Sequence, residues 1–347
     1  LKGARICLVI YINMLGGSIK VARAVYDALV DEGFEVSVLS VLKSDQEGFF
    51  DDVEMTNLNL ETSGFLRNSF LEFKKFFAKN QFDLIVSFAG FGAYPLAFAK
   101  ANSKLIISEH GNHTNHKNLL SKTLVNLAYK KADFITFLTK FDYDFYALKH
   151  SAIIKNPFFM ASDGDKKITK ENIILFPSNL SSNKRLEFLI NAFALIPLSR
   201  RSCYKIVVCG AGNIQKYQNL ADEKSVSIEF AGAVKDIENF YQRAKIVALT
   251  SLSEGLSNIL IEAIIFDCAR ISVDCICGPS ELIKDGFDGF LCELNDETEF
   301  AKKLEILIND EKKAQEFIIN ARARKDEFKL ENFRRSWFKI VNDVLKQ

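Results

Sequence analysis

Three things this 347-residue chain lacks narrow what it can be. It has no surplus of charge: 45 Lys and Arg stand against 44 Asp and Glu, which excludes the basic field that dominates nucleic-acid binding. It has no paired cysteine pattern. Seven cysteines, odd in number and irregularly spaced, fit a reducing, cytoplasmic compartment better than a disulfide framework. It has no apolar run of membrane length near its start. The stretch 6–12 follows a single arginine, is too short to span a bilayer and carries no small-residue cleavage site, so it reads as a first buried strand. Prolines are few and tryptophan occurs once, while 48% of the residues are apolar, enough to bury two cores of ordinary size. No internal repeat or low-complexity segment is present.

What is there is an alternation. Apolar runs of strand length at 6–12, 35–40, 84–88, 105–108 and 134–137 are separated by helical periodicity, as through 21–30. Strands spaced by helices imply crossover connections and a parallel sheet. A polar stretch at 161–172 interrupts the pattern, which restarts with runs at 173–176, 205–209, 227–230, 246–250, 270–273 and 289–292 and a helix at 186–195. The expected class is α/β in two domains, 1–160 and 173–325, joined by a linker at 161–172. From Asp296 onward the chain reads as helical, and a final helix at 326–347 carries the apolar stripe Trp337, Ile340, Val341 and Val344.

Several short stretches carry chemistry. "SEGLSNILIEA", 253–263, follows the apolar run Ile246, Val247, Ala248 and Leu249; a strand, a glycine turn and a helix start there would present Glu254 and unpaired backbone N–H groups to an anion. "NMLGGSIKVA", 13–22, has Gly16 and Gly17 without the spacing of a dinucleotide fingerprint or a phosphate loop. It is either a plain turn or a place where a ligand meets backbone at a helix N-terminus. In "ISEHGNHTNH", 107–116, the spacing of His110, His113 and His116 hints at a metal, but Gly111 and the asparagines favour a loop, and His110 at the strand end is the better ligand-binding candidate. In "FPSNLSSNKRLEFLINAF", 176–193, Lys184 and Arg185 precede a helix, where the dipole disfavours cations. They are either a solvated pair or partners of a bound anion. In "FLRNSFLEFKKFFAKNQF", 65–82, Leu66, Phe70, Phe73 and Phe77 share one helical stripe, flanked by Arg67, Lys74, Lys75 and Lys79. That segment reads as a core helix with a solvated face, or as a contact with an anionic lipid surface or lipid-linked substrate. Cys268, Cys275 and Cys277 lack a fourth ligand at zinc spacing and read as buried thiols.

Taken in order, "SEGLSNILIEA", "GPSELIKDGFDGFL" (278–291), "NLSSNKRLEFLINAF", "AGAVKDIENFYQRAKIVALTSLSEG", the glycine loop and the strand-end His110 resemble the retaining glycosyltransferases of family 4 over nearly the whole chain. Within that family the chain looks most like bacterial enzymes that assemble glycans on a polyprenyl-pyrophosphate carrier or on lipopolysaccharide. The resemblance implies a GT-B fold: two Rossmann-like parallel-sheet domains facing a cleft, with the last helix crossing back to the first domain. It implies transfer of a hexose or N-acetylhexosamine from a nucleotide sugar, expected to be a UDP-sugar, to a glycan acceptor, expected to be lipid-linked. No metal or other cofactor would be required, and contact with the membrane would be peripheral. Glu254 would hold donor-sugar hydroxyls, Glu262 the ribose, and the N–H groups of Leu256, Ser257 and Asn258 the diphosphate. Lys184, with Arg185 in support, would neutralise the leaving phosphate, and His110 would meet sugar or acceptor. One departure stands out: Ser178 and Asn179 replace the family's Gly-Arg. That leaves two rival expectations, an epimerase of nucleotide sugars on the same fold and a sugar-nucleotide-binding subunit of impaired activity.

Overall fold

The computed structural model describes residues 3–14, 16–44, 47–61, 65–88, 90–115, 119–159, 169–234 and 236–347. Its backbone divides into two units, Leu1–Pro157 with Leu330–Gln347, and Phe158–Lys329.

In the first unit the strands are β1 (Arg5–Ile10), β2 (Glu35–Leu42), β3 (Met55–Leu60), β4 (Leu84–Phe88), β5 (Lys104–Glu109), β6 (Phe134–Phe137) and β7 (Ser151–Ile153). Between them run α1 (Gly17–Asp31), α2 (Phe65–Lys79), α3 (Ala93–Ala99), α4 (Leu119–Lys131) and α5 (Lys140–Tyr146). The sheet order is β3-β2-β1-β4-β5-β6-β7 and every pairing is parallel. Central strands of such a sheet are covered on both faces, which is why 6–10 is an unbroken apolar run and wholly buried. The alternation missed the two edge strands, β3 and β7. "MTNLNL" buries little and "SAI" is three residues long, so neither carries the continuous apolar signal. α1 buries Ile19, Ala22, Val25 and Leu29 on the sheet and ends where Gly33, at φ +86°, turns the chain and the Phe34 N–H returns to the Leu29 carbonyl.

In the second unit the strands are β8 (Glu171–Phe176), β9 (Lys205–Cys209), β10 (Ile228–Gly232), β11 (Ala244–Leu249), β12 (Ala269–Val273) and β13 (Phe290–Cys292). Its helices are α6 (Leu186–Leu195), α7 (Leu198–Arg201), α8 (Ile214–Glu223), α9 (Ile237–Arg243), α10 (Asn258–Ile265), α11 (Pro279–Leu282), α12 (Glu297–Asn309) and α13 (Glu311–Arg322). The order β10-β9-β8-β11-β12-β13 is again wholly parallel. β8 takes in Glu171 and Asn172, the end of the stretch read as linker; 160–168 lie outside the described residues.

A last helix, α14 (Leu330–Leu345), belongs to the first unit and buries Phe333, Trp337, Ile340, Val341 and Val344. The Trp337 ring lies 5.6 Å from Phe88, and Arg334 reaches Asp31 at 3.0 Å. Among the described residues no helix is long and apolar enough to cross a membrane.

Candidate active site

Each sheet reverses strand order once, between β1 and β4 and between β8 and β11. Open α/β sheets bind ligands at the carboxyl ends of the strands flanking such a point. In the second unit that rule brings together two stretches far apart in sequence. β8 pairs with β11, Ile174 opposite Ile246, so the loops that follow them emerge side by side. The Leu252 N–H donates to the Asn183 carbonyl at 2.8 Å, and the Asn183 carboxamide donates to the Ser253 carbonyl at 3.1 Å. The Thr250 hydroxyl donates to the carbonyls of Lys184 and Arg185, at 2.8 and 3.1 Å. Fastened in this way, Lys184 Nζ stands 2.6 Å from Glu254 Oε1, both side chains largely shielded. A charge-assisted contact of this length is among the stronger polar contacts a protein makes.

Gly255 turns the chain into α10, with Ser257 at the N-cap. That serine makes no capping hydrogen bond, and its hydroxyl, buried, has no partner among the described residues. Leu256 is buried beside it, and Asn258 opens the helix, whose first N–H groups have no intrahelical acceptor. Glu262, one turn on, lies beside Tyr241: burial first, then the Glu262 carboxylate, pushes that phenol far above its ordinary value. Arg185 goes elsewhere. It holds the left-handed conformation at φ 53°, its guanidinium stacks 4.4 Å over Phe188, and Nη1 donates to the Leu294 carbonyl at 2.9 Å. Asn179, in the place of the family's arginine, accepts from the Ala211 N–H at 2.9 Å and ties the loop after β8 to the loop after β9.

The stretch 278–291 is the underside of this site. Gly278 has φ +96°, and a Cβ there would stand 2.1 Å from the Gly255 carbonyl, so only glycine lets the two loops touch. Sequence reasoning missed what holds it. Arg270, wholly buried on β12, donates to the carbonyls of Leu282 and Asp288, at 2.7 and 2.6 Å, and lies 3.3 Å from the Asp288 carboxylate. A lone arginine inside the apolar run "ARISV" was the available signal, because a buried cation requires partners.

In the first unit, Gly16 caps α1 in an extended conformation with open space where a Cβ would stand, and Gly17 begins the helix. Neither steric crowding nor backbone angle therefore requires glycine at position 16. His110 follows β5, its Nε2 3.1 Å from Ser108 Oγ and its ring 5.4 Å from Phe88. Burial pushes this imidazole from its ordinary 6.5 down to about 4, which keeps it neutral. His113 turns instead to Asp142, and His116 lies outside the described residues. On α2, Phe73 and Phe77 are buried, whereas Leu66, expected on the same stripe, is 43% exposed. Arg67, Lys74, Lys75 and Lys79 all face solvent, with Lys75 donating to Glu72 at 2.6 Å. All seven cysteines are free, and Cys268, Cys275 and Cys277 are buried.

Solved structures share this architecture. HepE from Anabaena, in complex with UDP and glucose, superposes with a TM-score of 0.78 at 17% identity, covering 98% of this chain and 100% of that one. The TarM structure from S. aureus with fondaparinux, alpha-GlcNAc-glycerol and UDP gives 0.77 at 15%, again over 98% and 100%. The class is thus GT-B, two parallel-sheet α/β domains. Residues 161–324 match the model of the glycosyl transferases group 1. A Campylobacter jejuni enzyme, "GalNAc-alpha-(1->4)-GalNAc-alpha-(1->3)-diNAcBac-PP-undecaprenol alpha-1,4-N-acetyl-D-galactosaminyltransferase", is 32% identical over 285 residues, 78% of this chain and 79% of the relative. The amylovoran biosynthesis glycosyltransferase AmsD of Erwinia amylovora is 23% identical over 350 residues, 95% and 97% of the two chains. The chain belongs to the group 1 glycosyl transferases and is a glycosyltransferase.

Proposed function

We propose that this enzyme moves a hexose or N-acetylhexosamine from a UDP-sugar to a lipid-linked glycan acceptor with retention of configuration, as in family 4. The observation that carries the reading is the Lys184–Glu254 contact at the mouth of the second sheet's reversal point, beside a helix N-terminus whose capping hydroxyl is buried without a partner among the described residues. Breaking the bond between anomeric carbon and phosphate develops negative charge on the diphosphate and positive charge on the sugar. Fixed donors placed where the negative charge appears lower that barrier. Lys184 and the N–H groups of Leu256, Ser257 and Asn258 are the donors in this reading. Glu254 holds sugar hydroxyls and Glu262 the ribose. Lys184 leaves Glu254 for the diphosphate when the donor binds, which frees the carboxylate for the sugar. Arg185 is a poorer candidate for the leaving phosphate, because its guanidinium is engaged on Phe188 and the Leu294 carbonyl.

In the first unit, the open space beside Gly16 leaves room for a ligand at the start of α1. Neutral His110 offers a hydrogen bond without a charge: Thr136 donates to Ser108, whose own proton is then available to His110 Nε2, leaving Nδ1–H for the substrate. The acceptor's carrier is read from relatives named for undecaprenol-linked glycans, and the exposed cations of α2 suit a peripheral contact with an anionic membrane on its cytoplasmic side.

The test is binding and hydrolysis of UDP-, GDP- and ADP-sugars. UDP-sugars are expected to raise the unfolding temperature and to be hydrolysed. Glu262→Ala weakens free UDP, Glu254→Ala weakens the intact donor while sparing UDP, and Lys184→Ala slows turnover by at least about tenfold through a lost charge-assisted contact. Calorimetry giving the reverse order for the two carboxylates would overturn their assignment.

A further inference from the structure

His110 stands at a turn that the structure clamps from both faces of the first sheet. Along β5, Leu105 and Ile107 join the core cluster that holds Val125 and Tyr129 of α4. Glu109 is next in that alternation, and its Oε2 accepts a hydrogen bond from the Tyr129 hydroxyl at 2.7 Å. Its Oε1 accepts the Gly111 N–H at 2.8 Å, which closes a ring across His110. On the opposite face the His110 ring meets Ser108 and Phe88, and Phe88 in turn meets Trp337 of α14. The loop is fastened again farther on, where the His113 N–H donates to Asp142 Oδ1 at 2.8 Å.

Tyr129 is what makes the Glu109 contact a fixed point. Its ring is buried against Phe137 and Tyr146, edge-on with centroids 6.1 and 4.9 Å away. Burial first, then the Glu109 carboxylate, pushes the Tyr129 phenol far above its ordinary value, so the hydroxyl stays protonated and goes on donating. The core thus holds Glu109 through α4, and Glu109 holds the backbone on the far side of His110. Neighbouring side chains of a strand point to opposite faces, so a rotation of the strand end that released Glu109 would turn His110 off Ser108 and Phe88. We propose that Glu109 and Tyr129 are positioning residues that hold the His110 imidazole where it meets the acceptor, an inference that rests on the acceptor role given to His110 above.

The experiment follows the His110 ring signal of the full chain by NMR as pH is varied. Alongside, it measures transfer from the UDP-sugar that the wild type hydrolyses to an undecaprenyl-diphosphate-linked N-acetylgalactosaminide. Tyr129→Phe removes only the hydroxyl and keeps the ring and the Glu109 carboxylate. It should raise the His110 midpoint from about 4 to about 5 or higher, because a loosened turn admits water to the ring. The acceptor's KM should rise about fivefold, the scale of one hydrogen bond, with UDP affinity unmoved. Glu109→Ala should act in the same direction. Glu109→Gln offers a carbonyl to the Gly111 N–H and an amide N–H to the Tyr129 oxygen, and should stay within about twofold of the wild type in KM. Alanine and glutamine both lack the charge, so the difference between them reports geometry. In a His110→Gln background Tyr129→Phe should add less than about twofold, since nothing is left to position. An unmoved His110 midpoint in both Tyr129→Phe and Glu109→Ala overturns the proposal. So does a Tyr129→Phe effect on KM that persists at full size in the His110→Gln background, which would make the pair a general support of the first unit. A moved midpoint in a protein whose wild type transfers nothing to this acceptor leaves the positioning standing and removes the acceptor role of His110.

Discussion

His110 shows how much one residue's surroundings decide. Ser108, Thr136 and Phe88 wrap an imidazole that, left in water, would be half-protonated at its ordinary 6.5, and burial moves that value to about 4. Between those two values the unfolded chain binds a proton that the folded chain does not. Stability must therefore fall as pH drops from about 6.5 toward 4 and level off below. The size of this contribution is on the order of 3 kcal/mol. Urea unfolding at about pH 7.5 and about pH 4.5 should show His110→Gln losing less stability across that interval than the wild type, since the variant has no proton to take up there. Equal losses would mean that His110 ionises freely in the folded protein and is not held neutral for a ligand. Arg270 is the counterpart in the second unit. Burial lowers it to about 10, but two carbonyls and Asp288 hold it, and it acts as a fastening under the 278–291 loop.

Elements differed in how far they could be read beforehand. The central strands were legible because a parallel sheet covered on both faces demands continuous apolar runs, as at Leu84–Phe88 and Lys205–Cys209. β3 and β7 were not, because an edge strand needs no such run. The two halves of the candidate site were legible singly, as a glycine turn before a helix and as a cation pair before a helix. Their joining was not, because the 2.6 Å contact of Lys184 and Glu254 follows from the pairing of β8 with β11, a fact of topology. The same limit hid the Asp142–His113 contact. α2 is the element whose alternatives remain most sharply opposed. Phe73 and Phe77 serve the core, yet Leu66, Arg67, Leu71, Lys74, Lys75 and Lys79 are all exposed. Each basic residue near an anionic bilayer contributes about 1 kcal/mol, and exposed leucines add apolar insertion. Replacing Lys74 and Lys75 by Glu should reduce binding to anionic liposomes and slow transfer to a lipid-linked acceptor while leaving UDP-sugar hydrolysis unchanged. Equal liposome binding and equal transfer would make α2 a core helix with an ordinary solvated face.

At the scale of the whole chain, the first unit is not a contiguous piece of sequence. Its last helix arrives about 170 residues after the rest of that unit ends at Pro157, and the single tryptophan of the protein sits in the middle of that helix. Trp337 is buried between Phe88, at the end of β4, and Phe333, one turn earlier on α14, while Arg334 anchors the helix to Asp31 at the end of α1. β4 flanks the sheet's reversal point, and Phe88 also touches His110, so α14 supports the end of β4 and the histidine we propose for the acceptor. Removing Phe333 should therefore weaken the first unit as a core truncation does, by about 3–5 kcal/mol, because the space left beside Trp337 cannot fully collapse. Trp337 fluorescence reads this directly: in urea, Phe333→Ala should lower the midpoint seen by the tryptophan. The second unit carries its own core around Phe188, Phe193 and Phe300, so UDP affinity measured by calorimetry should stay at the wild-type value. An unshifted fluorescence midpoint would show that α14 contributes little to the unit it completes, and a loss of UDP affinity would show that the nucleotide site depends on more than the residues of 158–329.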